Sequence, residues 1–334
     1  MTATTTPTSV PVRRLTTGWG RYIPVLATLA LLALMFEVGA YRYENFLSTQ
    51  VVLNLFIDNA FLLVVAIGMT FVILTGGIDL SVGSVLALST MICASLVEQQ
   101  GVHPVAAIAL ALAVGTGGGA AMGAIIHHFE VQPFIVTLAG MFMARGLCYM
   151  ISIDSISLTH PFFTDLAQTR IRFPGSTVFI SVSVVIALLV VAVAFWVLHY
   201  TRLGRNVYAL GGNPQSAMLM GLPVARTVVS VYAISGLCSA LGGVLLAFYM
   251  RSGYSLHAVG LELDAIAAVV IGGTLLTGGI GYVLGTVLGV LVLGVIQTII
   301  AFQGTLSSWW TRIVVGVLLF AFIALQRLLG VRRR

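Results

Sequence analysis

Asp79 stands in the run Gly76-Gly77-Ile78-Asp79-Leu80-Ser81-Val82-Gly83, between two long apolar stretches. An ionisable group in such surroundings is costly and demands a reason. Three are open to it. It could cap the next helix through the amides of Ser81 and Val82, it could accept a hydroxyl of a substrate, or it could pass a proton. A proton relay needs a chain of carboxylates or histidines, and Glu37 is the one other acid in comparable surroundings. Glu130 lies near His127 and His128, but no further ligand completes a metal site, and a solvated turn is the simpler reading. Cys93, Cys148 and Cys238 fall inside apolar segments without metal-ligand spacing and read as small packing residues. All 16 basic residues are arginine. Without lysine, a G-x-x-x-x-G-K-[ST] nucleotide loop and Schiff-base or lysine-base catalysis are excluded. No H-E-x-x-H pair or Ser/His/Asp set is visible either, so the chain is not expected to be an enzyme and is expected to bind no cofactor of its own.

These residues sit in a chain made for lipid. Of 334 residues 59% are apolar and 8% charged, against about 25% charged in a soluble domain. Crossing a hydrocarbon layer takes about 20 apolar residues. Candidates run over 22–41, 51–75, 80–98, 104–126, 133–151, 177–199, 227–250, 281–302 and 309–329, with a shorter one over 263–277. The expectation is an all-α integral membrane protein of about ten transmembrane helices. It would comprise an N-terminal tail 1–21, one membrane domain 22–330 and a basic C-terminus 331–334. The apolar stretch after Arg13 and Arg14 is too long for a signal peptide core and no convincing cleavage site ends it, so it is expected to be a span.

With ten spans and both termini cytoplasmic, Arg13, Arg14, Arg21, Arg202, Arg205, Arg226, Arg327, Arg332, Arg333 and Arg334 all lie inside. Only Arg42, Arg170, Arg172, Arg251 and Arg312 lie outside or near it, and Arg145 falls within a span. That is the asymmetry the positive-inside rule requires. The formal charge of +6 reads as a topology signal with anionic lipid as the partner; no basic face suggests nucleic acid.

Two glycine-interrupted stretches repeat. Ile67-Gly68-Met69-Thr70 precedes Thr75-Gly76-Gly77-Ile78, and Ile271-Gly272-Gly273-Thr274 precedes Thr277-Gly278-Gly279-Ile280, with Gly83 and Gly285 in matching places beyond. Backbone groups freed by a break at membrane depth must be satisfied by protein or by a water-filled cavity, so paired breaks point to a pathway. Close helix packing at glycine is the alternative. Counting spans makes the repeats parallel, whereas a re-entrant 263–277 would invert them.

The inner polar interruption, 201–225, spells a short helix. Asn213 suits the N-cap and Pro214 the first helical position, Ala217 to Met220 are helix formers, and Gly221 ends the helix before Pro223. Its apolar side chains need a surface to dock on. A chain without a nucleotide site can draw on ATP only through a partner docked at such an element.

The run from Gly204 to Leu222, G-R-N-V-Y-A-L-G-G-N-P-Q-S-A-M-L-M-G-L, resembles the coupling loop of bacterial ABC-importer permeases for ribose and other monosaccharides. The likeness extends over Gly68–Thr70, Thr75–Ser84, Pro133–Met141 and Gly260–Gly285, nearly the whole chain from about residue 50. Asp154-Ser155-Ile156, His160-Pro161, Gly260–Ile266 and Gly304–Thr311 are most similar to galactofuranose-type permease subunits. The resemblance implies a type II-like importer permease in the bacterial cytoplasmic membrane. ATP and Mg would bind a separate ATPase, a soluble sugar-binding protein would dock outside, and a second copy or a sister permease would complete the membrane part. Gly204, Arg205, Asn213, Ala217, Met220 and Gly221 would then occupy coupling positions.

A sugar path would be lined by small residues and hydroxyl partners, and Asn59, Thr70, Asp79, Thr137, Thr274 and Thr277 are the candidates near the breaks. Each threonine could equally bond its own helix backbone. The external loop 152–176 carries Arg170 and Arg172, which could meet carboxylates of the sugar receptor. The rival reading is an ion-coupled secondary transporter, which would share the breaks and repeats but needs intramembrane carboxylates or cation sites.

Overall fold

The computed structural model describes residues 23–172, 178–305, 307 and 309–331, without the side chains of 325 and 327–331. The tail 1–21, residues 332–334 of the basic C-terminus and the arginines they carry lie outside the described residues, as does 173–177 of the external loop.

Apolar runs become helices in chain order: α1 (Ile23–Arg42), α2 (Thr49–Asp58), α3 (Ala60–Leu74), α4 (Val82–Ala94, continued by a wider π turn to Gln99), α5 (Pro104–His128) and α6 (Pro133–Ile151). Prolines open α5 and α6 at their first turns, where a missing N–H costs nothing. Seven helices among the described residues are long and apolar enough to cross a membrane. The α2 and α3 pair, bent by 58°, makes up an eighth candidate span. The bend sits at Asn59, whose side-chain amide donates to the Leu55 carbonyl at 3.0 Å and satisfies an acceptor close to the kink.

The expected external loop is more structured than a plain surface loop. It holds β1 (Ile156–Ser157), α7 (Pro161–Gln168) and β2 (Arg170–Arg172), and β2 pairs antiparallel with β3 (Phe179–Ser181). Residues 179–181, expected to be span, are therefore strand, and α8 begins at Val182 and ends at Tyr200. Glu98 anchors α7 by accepting from the Thr159 hydroxyl at 2.9 Å and the His160 amide at 2.8 Å.

After α8 come α9 (Arg202–Gly212) and α10 (Pro214–Leu219), then α11 (Val224–Met250), β4 (Ser252–Gly253, paired with β1), α12 (Leu261–Ile271), α13 (Val283–Gln303) and α14 (Trp309–Val331). The segment expected over 263–277 is helical only to Ile271, because Gly272 and Gly273 turn the chain.

The 27-residue α11 is the central post, packed on α3, α4 and α5. Its approach to α5 depends on glycine: a Cβ at Gly119 would strike the Tyr232 carbonyl, and one at Gly236 would strike that of Gly115. Lipid offers no hydrophobic drive for helix association, so backbone approach at small residues supplies the packing. Large apolar side chains such as Leu34, Phe142, Leu189, Trp196 and Phe320 point outward, as expected where the surrounding solvent is acyl chain.

Arg145, expected within a span, is explained by this packing. Its guanidinium donates to the carbonyls of Ser255 and, at 3.0 Å, His257, tying α6 to the segment between β4 and α12. Burial, and then the Arg145 charge, hold the His257 imidazole below its usual range, so it stays neutral beside the cation.

Candidate coupling site at the paired breaks

The polar interruption forms two helices where the sequence suggested one. Thr201 caps α9 by accepting from the Gly204 amide at 3.3 Å, and Asn213 caps α10 by accepting from the Ser216 amide at 2.9 Å. Gly221 ends α10 at φ +73°, and the Leu222 amide returns to the Ala217 carbonyl at 3.1 Å, closing a Schellman-type stop. Of the apolar residues of this helix, Ala217 is 1% exposed, whereas Met218, Leu219 and Met220 are 71%, 88% and 68% exposed. A helix this short cannot hide them. Arg205 is exposed on α9, and Gly204 is pressed against the Leu198 carbonyl.

The other face of α9 meets both glycine breaks. A Cβ on Gly211 would overlap the Leu74 carbonyl at the end of α3 and the Gly279 amide in the second break. The Tyr208 hydroxyl donates to the Gly281 carbonyl at 2.8 Å. Burial, with Tyr282 adding to it, pushes the Tyr208 phenol up to about 12, so it remains a donor across physiological pH. The breaks also touch each other: the Gly279 amide donates to the Leu74 carbonyl at 2.9 Å, and a Cβ on Gly76 would lie 3.4 Å from the Thr277 carbonyl.

At each break protein groups satisfy several of the freed backbone groups. In the first, the amides of Gly76 and Gly77 turn back to Ile73 and Val72 at 2.9 and 3.1 Å, and the Thr137 hydroxyl of α6 reaches the Ile78 carbonyl at 3.3 Å. In the second, the Thr28 hydroxyl of α1 donates to the Ile271 carbonyl. The Gln326 amide of α14 reaches the carbonyls of Val270 at 3.2 Å and Thr274 at 3.4 Å. Irregular backbone in the interior of such a bundle is tolerated on these terms.

Asp79 is fully buried at the first break. One carboxylate oxygen accepts from the Ser81 amide at 2.9 Å and the Ser81 hydroxyl at 2.6 Å, and the other accepts from the Ser235 hydroxyl of α11 at 2.7 Å. The carboxylate thus serves the start of α4 through Ser81 and pins it to the central post. The Tyr232 hydroxyl, one turn before Ser235, is buried against Gly77 with no hydrogen-bond partner among the described residues.

The remaining path candidates are spread through the bundle. Asn59 is held at the α2–α3 bend, and Thr137 bonds its own helix at Pro133 at 2.8 Å. Thr70 donates to the Ala66 carbonyl at 2.8 Å and faces Thr286 of α13 at 2.7 Å between the oxygens. Thr274 is buried beside Gly281 with a hydroxyl that has no partner among the described residues, and Thr277 is exposed. None of the six lines the cavity between α12, α13 and α14 or the groove between α4, α5 and α6.

Tyr208, Gly211, Thr286, Thr28 and Gln326 were missed by sequence reasoning. Only Thr286 carried a signal, lying directly after Gly285 in the repeat. On the opposite face of the bundle Arg170 and Arg172 are exposed on β2, with the Arg170 guanidinium 4.5 Å over the Phe179 ring.

Residues 51–323 match a family described as branched-chain amino acid transport system / permease component. The inner membrane ABC transporter permease protein YjfF of Escherichia coli (strain K12) is 46% identical over 92% of each chain. The fructose import permease protein FruG of Bifidobacterium longum (strain NCC 2705) is 41% identical over 91% of each. The ribose import permease protein RbsC of Escherichia coli (strain K12) is 38% identical over 88% of this chain and 90% of that one. No solved structure matches the chain. With the family match covering most of its length and ABC permeases among its full-length relatives, the chain belongs to the branched-chain amino acid transport system / permease component family.

Proposed function

We propose that this chain is the membrane subunit of an ATP-binding-cassette importer that carries a monosaccharide inward across the bacterial cytoplasmic membrane. The observation that carries the reading is α9–α10: one side presents Met218, Leu219 and Met220 to a partner, and the other touches both membrane breaks. ATP and Mg would bind the partner ATPase, whose closure would move α10, and α9 would pass that movement to the ends of α3 and α12. Gly204, Arg205, Asn213, Ala217, Met220 and Gly221 are the coupling residues in this account.

Ten crossings follow if α2 and α3 make one, and if α12 with the turn after it makes another. Both termini and α9–α10 then lie in the cytoplasm. The antiparallel run of α12 into α13 supports this count, since a Cβ at Gly272 would strike the Gly285 carbonyl and one at Gly285 the Gly272 carbonyl. The two breaks become half-repeats whose meeting forms the inner gate. Thr274 and Thr277 border it, and Asn59, Thr70 and Thr137 stand along the helices that lead to it. Asp79, with both oxygens taken by serines, reads as a fastener.

The sugar class rests on the relatives named as fructose and ribose import permeases. Galactofuranose is our first choice within it, on the likeness of Gly260–Ile266 and Gly304–Thr311 to galactofuranose-type permeases. A soluble receptor would dock on the outer face, with Arg170 and Arg172 meeting its carboxylates, and a second copy or sister permease would complete the path. Uptake of labelled galactofuranose, with ribose and galactopyranose as competitors, tests the assignment in vesicles holding this chain, its neighbouring permease, ATPase and receptor. Preference for another pentose or hexose would remove the galactofuranose choice. Reversing both Arg170 and Arg172 to Glu is expected to lower receptor-stimulated ATPase activity, and unchanged stimulation would remove the docking role.

A further inference from the structure

A cavity of about 600 Å³ opens at the end of the bundle opposite α9 and α10. It lies among the first turn of α12, the last turns of α13 and the first turn of α14. Asp264, Gln297, Trp309, Thr311 and Arg312 line it together with apolar atoms. The set combines an acceptor carboxylate, an amide able to donate and accept, a hydroxyl, a fixed cation and an exposed indole. Arg312 gives one donor to the Val259 carbonyl at 3.3 Å and lies 5.6 Å from the centre of the Trp309 ring, and among the described residues no other hydrogen bond takes its donors.

We infer that this cavity is a monosaccharide-binding vestibule, the first site the sugar occupies in the membrane subunit after leaving its receptor. The inference rests on the importer reading above and adds a site to it. A carboxylate takes two adjacent sugar hydroxyls, the guanidinium and amide donate to ring and hydroxyl oxygens, and an indole face covers the C–H side of the ring. Among the described residues each function is present once, and they converge on one space, as in small-molecule sites generally. A simple cation is disfavoured by Arg312 and a simple anion by Asp264. The volume exceeds that of a hexose and leaves room for water.

The position also connects the vestibule to the breaks. Gln297 is fourteen residues along α13 from Val283, about 21 Å at 1.5 Å per residue. One continuous helix therefore carries the vestibule at its end and opens at the second break, which Tyr208 and Gly211 hold to the coupling segment. Asp264 lies likewise at the start of α12, whose other end is the same break.

The test uses vesicles with the full transporter. Sugar uptake, sugar selectivity and receptor-stimulated ATP hydrolysis are measured for wild type, Asp264→Asn, Gln297→Ala, Trp309→Ala and Trp309→Phe. The vestibule predicts that Asp264→Asn and Trp309→Ala lower uptake at subsaturating sugar about tenfold, the loss of one good polar or stacking contact. It also predicts a changed competitor ranking, ATP hydrolysis within about twofold of wild type, and restoration of most uptake by Trp309→Phe. Uptake and competitor ranking unchanged in both Asp264→Asn and Trp309→Ala would overturn the inference, as would competition by leucine in place of sugars. Wild-type vesicles that move no sugar with receptor and ATP would withdraw the importer reading itself, and this inference with it.

Discussion

The Gly279 amide donates to the Leu74 carbonyl at 2.9 Å, so the backbone acceptor at the end of α3 is satisfied by the other half of the molecule. Residues 205 positions apart thereby share one hydrogen bond. Gly211 of α9 is packed against both partners of that bond. In the coupling account a displacement of α9 is therefore felt at two helix ends together.

Gly211 and its neighbour Gly212 give a matched pair of substitutions. A Cβ on Gly211 overlaps the Leu74 carbonyl, whereas one on Gly212 meets no atom of the described residues within 4 Å. Gly211→Ala is expected to shift the backbone at a cost of about 1–3 kcal/mol and to lower uptake at least tenfold relative to ATP hydrolysis. Gly212→Ala is expected to leave both near wild type. Uptake and hydrolysis assayed on the same vesicles check this, and equal behaviour of the two variants would remove Gly211 from the coupling account.

Thr70 and Thr286 are unequal partners. Thr70 spends its hydrogen on the Ala66 carbonyl and so accepts from Thr286. Thr70→Val leaves the Thr286 hydroxyl without that acceptor, and is expected to cost about 1–2 kcal/mol in unfolding of the purified protein. Thr286→Val is expected to cost under about 1 kcal/mol, in the range of hydrogen bonds inside membranes. The double variant is expected to be no worse than Thr70→Val alone, and strict additivity would contradict the pairing.

Asp79→Asn keeps an acceptor for the Ser81 amide and can still pair with the Ser235 hydroxyl. Uptake is expected to stay within about threefold of wild type, since one neutral hydrogen-bond adjustment is worth under about 1 kcal/mol. Asp79→Leu strips both serines of their partner and is expected to destabilise the fold. Loss of uptake in Asp79→Asn at wild-type stability would restore the substrate or proton role for this acid.

Much of this architecture was legible because lipid imposes simple rules on a chain. The starts of α5, α6 and α14 follow from apolar length and the break after Leu74 from Gly76-Gly77. Asn213 and Gly221 likewise announce α10 through cap chemistry that is local in sequence. The preceding helix, α9, carries mixed polar and apolar residues with Gly204, Gly211 and Gly212, and composition gave no reason to see it. What composition cannot express is distance in space. Nothing in the spacing says that Gly211 lies on Leu74, that Thr28 and Gln326 serve the carbonyls of the second break, or that Asp264 and Trp309 share a cavity. The strand at Phe179–Ser181 was hidden for the same reason, since only its pairing with Arg170–Arg172 distinguishes it from the start of a span.

The central claim, that a partner ATPase drives transport through α10, is tested most directly by sugar uptake into vesicles supplied with ATP and receptor. Wild type is compared with Asn213→Leu and Gly221→Val, with and without ionophores that collapse proton and sodium gradients. Loss of the cap costs about 1 kcal/mol, and a branched side chain at φ +73° costs at least as much, so both variants weaken the ends of α10, which lie outside the candidate spans. The account predicts ATP-dependent uptake that ionophores leave unchanged and that both variants abolish while still inserting in the membrane. Normal uptake in the variants, or transport that requires an ion gradient and ignores ATP, would contradict it.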